Sequence, residues 1–192
     1  MRRIIRAEIV LTLGAIFGSI GAMGTAGAAA PEPEVAAADI VPGTWEHHTA
    51  TISYFGITSA YSCYGLEDHV RSILLHFGAR KDAKVSATGC PRGPEVPSHN
   101  AWINTDFYTL TPAASAAGPA TVRAHWAPRE ISPRRPYFMG DGDCELVEQM
   151  KDLISKSFAL RDVVYRTECV PHDIVLDGFD IKGEALVPVT KG

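Results

Sequence analysis

Apolar side chains recur at helical spacing twice along this chain. Between Cys63 and Gly78, Leu66, Val70, Ile73, Leu74 and Phe77 fall at i, i+4, i+7, i+8 and i+11. That pattern puts them on one face of an α-helix over residues 63–77, with Gly78 as a natural C-terminal stop. After Cys144, Leu146, Val147, Met150, Leu153, Ile154 and Phe158 make a second such face over residues 144–158. Each opening cysteine follows a residue suited to the N-cap, Ser62 and Asp143.

The remaining apolar positions follow the two-residue period of strands. Residues 49–55, 102–110 and 121–126 alternate, while residues 84–90 and 163–169 read as short strands that both end Thr-x-Cys. An alanine- and glycine-rich stretch between Pro112 and Pro119 is a connection, and the tail from Asp173 to Val189 offers one or two strands broken at Asp177-Gly178. The predicted order is strand, helix, strand, strand, strand, helix, strand, then the strand or strands of the tail. It suits a ferredoxin-like α+β sandwich in which two helices cover one face of an antiparallel sheet. The two cysteine-flanked segments resemble one another. The chain therefore reads as a degenerate internal repeat of a strand–helix–strand unit, with halves at about residues 44–111 and 120–189.

The four cysteines sharpen this reading. Cys63 and Cys90 are 27 positions apart, and Cys144 and Cys169 are 25 apart. Four cysteines allow three connectivities. In a strand–helix–strand unit the helix runs against the strands, and a helix of about 14 residues is as long as a strand of about 6–7. The start of each helix then lies over the end of the strand that follows it. Cys63–Cys90 and Cys144–Cys169 are the expected bridges, each contributing about 3–4 kcal/mol. No C-x-x-C spacing supports a redox dithiol, and no short ligand pair supports zinc.

The first residues change the picture of where the protein works. Arg2, Arg3 and Arg6 precede an apolar stretch from Ile9 to Met23, itself interrupted by glycines, and then small residues up to Ala30. This is the layout of a secretory signal peptide, with cleavage expected after Ala28. The apolar stretch is too short for a stable span. We expect a signal peptide over residues 1–28, a flexible leader over residues 29–43 and a single disulfide-stapled domain over residues 44–192. An even cysteine count fits an exported protein, with the bacterial periplasm as the expected compartment.

Of the 192 residues, 46% are hydrophobic and 21% charged, and the net charge is −4. Loss of residues 1–30 removes three arginines and one glutamate and leaves −6. A mildly acidic chain is not built to bind nucleic acid. His47-His48 would point to opposite faces of a strand, and His69 and His76 sit on the rim of the first helix. Asp141, Asp143 and Glu145 gather at a helix start, where capping and the helix dipole account for them. No catalytic fingerprint, metal set or cofactor motif is legible. Two features suggest a binding surface. One is an aromatic sheet face with Trp102, Phe107 and Tyr108. The other is a proline-stiffened segment bearing Arg129, Arg134 and Arg135 beside Tyr137 and Phe138. The sequence thus points to an exported, non-enzymatic module whose partner is an envelope protein or a glycan. The alternative is a periplasmic enzyme, of hydrolase or thiol-disulfide type, with a site dispersed in sequence. Clustering of His125, Asp106 and a serine in one pocket would favour that alternative.

Overall fold

A computed structural model describes residues 40–114 and 121–189. The expected signal peptide and most of the expected leader lie outside the described residues, as does Ser115. Six strands and two helices follow in the order β1 (Ile40–Phe55), α1 (Cys63–His76), β2 (Lys84–Thr88), β3 (Asn100–Pro112), β4 (Thr121–Ile131), α2 (Cys144–Ser157), β5 (Leu160–Thr167) and β6 (Phe179–Pro188). A single 3-10 turn, Asp141–Asp143, precedes α2. The protein is α+β, with one antiparallel sheet of order β2-β3-β1-β4-β6-β5.

The register explains that order. β3 runs between β1 and β2, antiparallel to both, from Phe55↔Asn100 to Gly43↔Pro112 on one side and from Thr88↔Trp102 to Lys84↔Asp106 on the other. β6 likewise lies between β4 and β5. Among the described residues, strand pairing joins the two groups of three only through the first five residues of β1, Ile40↔His125 to Thr44↔Thr121. The ordered domain therefore begins earlier than Thr44. Residues 40–43, expected in the leader, are strand because each finds a partner on β4. The tail holds one strand, β6, which begins directly after Asp177-Gly178, while Ile174 and Leu176 are exposed in the connection before it.

The helices form where the apolar stripes lie. Leu66, Val70, Ile73 and Leu74 of α1 and Leu146, Val147, Met150, Leu153 and Ile154 of α2 are buried. They share one apolar cluster with Ile52, Tyr54, Ile103, Phe107, Ile131, Phe179 and Ile181 from the sheet. The Ser62 side chain caps α1, accepting from Gly65 N at 2.9 Å. Gly78 ends it at φ +100, a conformation that side chains disfavour. β3 shows the two-residue period directly, with Ala101, Ile103, Thr105, Phe107 and Thr109 buried and Trp102, Asn104 and Asp106 exposed.

The cysteines form two bridges, Cys63–Cys90 and Cys144–Cys169, with Cα atoms 6.1 and 5.6 Å apart. Each ties the first residue of a helix to a cysteine two positions beyond the end of the next strand.

Candidate functional site

The face of the sheet turned away from the helices has two unlike regions. At one end, Leu110, Ala124 and Leu186 are buried beneath Val41, Trp45, Val122 and Trp126. Charged groups close over this end. The Arg80 guanidinium lies 3.7 Å from the Tyr108 ring centroid and 5.8 Å from that of Trp45, and Arg161 lies 4.7 Å from Trp126. Tyr108 also packs against the tilted ring of His47, whose Nε2 meets Asp106 Oδ1 at 2.9 Å. This end is an occupied surface.

The other end is open. Trp102 and Phe55 are each 58% exposed. The register places them as diagonal neighbours, because Trp102 faces Ser53 and Phe55 faces Asn100. Around Trp102 stand Ser53 and Thr88 across the strands and Asn100 and Asn104 along its own. These neighbours carry hydroxyls and amides and no charge. Thr51 Oγ1 donates to Asn104 Oδ1 at 2.9 Å, which fixes one of them.

Two constraints hold the aromatic pair in place. Gly89 lies against the Trp102 indole, where a Cβ would stand 2.8 Å from Cε3 and 3.1 Å from Cζ3. Gly89 has φ +85 and is followed by the bridged Cys90, so the backbone under the ring is pinned. Phe55 ends β1, and Gln149 of α2 completes its backbone hydrogen bonds: Phe55 N donates to Gln149 Oε1 and Gln149 Nε2 donates to Phe55 O, both at 2.8 Å.

Phe107, expected on this face with Trp102, is on the other. It is fully buried against Phe158, because it lies five positions after Trp102, an odd number, and side chains alternate along a strand. The arginines do not make one basic patch either. Arg129 lies on β4 on the helix side, with its Nε buried and without a hydrogen-bond partner. Arg134 pairs with Asp141 at 3.3 Å and Arg135 with Glu130 at 3.5 Å, so both charges are matched locally. His125 and Asp106 occupy opposite faces of the sheet and do not meet in a pocket.

A second feature went unread in the sequence. A shallow cavity of about 380 Å³ is lined by Ser59, Tyr61, His69, Phe138, Met139, Gly140, Gly142 and Asp143. Asp143, expected to cap α2, makes no side-chain cap. Its Oδ1 accepts a short hydrogen bond from Tyr61 OH and its Oδ2 accepts from Gly140 N at 2.6 Å. His69 Nε2 stands 3.5 Å from Oδ1. Burial alone would raise the Asp143 pKa, but the donors His69, Tyr61 and Gly140 N hold it below the ordinary carboxylate value. Burial first, then the Asp143 charge and hydrogen bond, push Tyr61 up. Glu145, beside it, accepts from Thr58 N and Ser59 N, which fixes the segment leading to Tyr61. Among the described residues, no group of three or more His, Cys, Asp or Glu could hold a metal ion.

No family model, curated protein or solved structure matches the chain.

Proposed function

We propose that this protein is an exported, non-enzymatic module that binds an uncharged glycan on the open end of its sheet. The observation that carries the reading is the Trp102 indole, largely exposed and seated on Gly89 within a rim of Ser53, Thr88, Asn100 and Asn104. A pyranose presents apolar C–H faces and a girdle of hydroxyls. An aromatic plane surrounded by neutral donors and acceptors complements both. A charged rim would favour a charged ligand instead. The bridges fit export, because such disulfides persist in oxidising compartments. The arginine-led apolar N-terminus supports the same reading, with cleavage after Ala28 and the periplasm as destination.

The two halves of the sheet support a duplicated origin. Each is a strand–helix–strand unit split by its own third strand, in the manner of ferredoxin-like folds, and each carries one bridge from helix start to strand end. The Tyr61–His69–Asp143 cluster is the feature that would favour an enzyme. A general base needs a ring nitrogen free to take a proton from a nucleophile. The two nitrogens of His69 are turned to Asp143 and to the backbone of Phe138, which weighs against that role.

Co-sedimentation of the exported chain with insoluble peptidoglycan, chitin and cellulose tests the proposal. At least one of them should deplete the wild type from solution. Trp102→Ala should weaken that binding about tenfold or more, equal to about 1.4 kcal/mol. Equal partitioning of wild type and Trp102→Ala on all three would refute it.

A further inference from the structure

We propose that His69 is a pH-sensitive latch: its charged form holds the loop of residues 132–140 and the start of α2 against α1, and its neutral form releases them. His69 projects from α1 into the wall of the 380 Å³ cavity, beside Tyr61 and Phe138. One ring nitrogen is turned to the backbone of Phe138. The other, Nε2, is buried, has no hydrogen-bond partner and faces Asp143 Oδ1 across 3.5 Å.

A neutral imidazole has one N–H. Whichever tautomer forms, the other nitrogen turns a lone pair toward an oxygen. Only the imidazolium donates on both sides. The groups around His69 agree with that form. Asp143 faces it from the turn before α2, Tyr61 from the segment before α1, and Asp68 from its own helix. Behind Asp143 lie Tyr54 and Glu145, the latter already accepting from two backbone amides. The cations of the adjoining loop, Arg134 and Arg135, are taken up by Asp141 and Glu130. The Asp143 carboxylate facing Nε2 raises the His69 pKa above the ordinary histidine value, with burial opposing it.

The loop is anchored in the core by the buried Met139, with Phe138 packed against it, while its backbone is held by its own hydrogen bonds, such as Arg134 N to Met139 O at 2.8 Å and Met139 N to Pro136 O at 2.9 Å. Gly140 N is held by Asp143 Oδ2, the same carboxylate that faces His69. Loss of the imidazolium leaves a lone pair against the Asp143 carboxylate or against the Phe138 backbone, according to the tautomer. The segment that can move is the loop that forms one side of the cavity. A raised histidine pKa contributes stability that is complete below the unfolded value of about 6.5 and is lost as pH rises through the folded value.

The test uses the exported chain and two readouts, the NMR titration of His69 Cε1 and amide exchange at Met139 and Gly140, corrected for intrinsic rates. We expect His69 to titrate above the ordinary histidine range. Protection at Met139 and Gly140 should fall several-fold over the same interval, while the core amide of Ile103 stays protected. His69→Gln should show low protection at both loop amides at every pH, and Asp143→Asn should shift the His69 titration downward. A His69 titration at or below the ordinary value would overturn the latch. So would loop protection that does not change across the titration. Both readouts are made on the wild type, so they decide the matter even where a variant fails to fold.

Discussion

The Trp102 indole rests on Gly89, and no other residue fits beneath it. A Cβ at position 89 would stand 2.8 Å from Cε3 of the ring, and the backbone there has φ +85. Gly89→Ala therefore meets strain and a clash together. We expect a cost of about 1–3 kcal/mol in stability and, because the indole must tilt to make room, a loss of the glycan binding proposed for this face. Thermal unfolding and co-sedimentation of the same preparation would show both effects. Stability lost with binding intact would mean that ring orientation does not matter to the ligand.

Trp102 and Phe107 share one strand and opposite fates. Phe107→Ala should cost about 3–5 kcal/mol, because it empties a site packed against Phe158 in the core. Trp102→Ala should change stability by less than about 1 kcal/mol, since the side chain is 58% exposed. Denaturant unfolding separates the two. Comparable losses would mean that the Trp102 ring carries structural load.

This pair also shows how far the sequence could be read. Periodicity located both helices and the order of the strands, because an apolar stripe has nowhere to go except the shared core. Parity along residues 100–112 would have put Phe107 opposite Trp102, since alternation is a strict property of a strand. The partner of Trp102, Phe55, is set by the register Ser53↔Trp102, which is a long-range pairing with no local signal. The cluster of Tyr61, His69 and Asp143 was hidden for the same reason: it joins three segments, and a carboxylate at a helix start looks like a cap until its real donors are known. Gly89 before Cys90 was the available hint, a glycine at a strand end where a bridge alone would not require one.

The bridges bear on stability in a way that can be apportioned. Each closes a loop of about 25 residues, for which the chain-entropy account gives about 3–4 kcal/mol. Cys144→Ala should lower stability by about that amount and leave Cys169 as a reactive thiol. Cys144 is buried and packed near Gly178, so the thiol appears on the half-buried partner. Thiol labelling under native conditions and denaturant unfolding check the two halves of this expectation. Unchanged stability would show that packing of α2 on the sheet already supplies what the bridge adds.

His76 gives the acid side of the pH profile, opposite in sign to His69. Its Nε2 donates to Glu130 O at 2.9 Å from the last turn of α1. Burial, and then the nearby Arg129 charge, lower its pKa below the ordinary value despite that contact. A lowered histidine pKa contributes stability that is present above the unfolded value of about 6.5 and is lost as pH falls through the folded value. The wild type should therefore weaken as pH falls below about 6.5. His76→Gln, which cannot titrate, should flatten that limb of the profile of unfolding midpoint against pH. Arg129→Gln should move the His76 titration back toward the ordinary value, because it removes the cation and leaves the burial. A His76 titration unmoved in Arg129→Gln would assign the whole shift to burial. An acid limb unchanged in His76→Gln would mean that other groups, His125 among them, carry the loss.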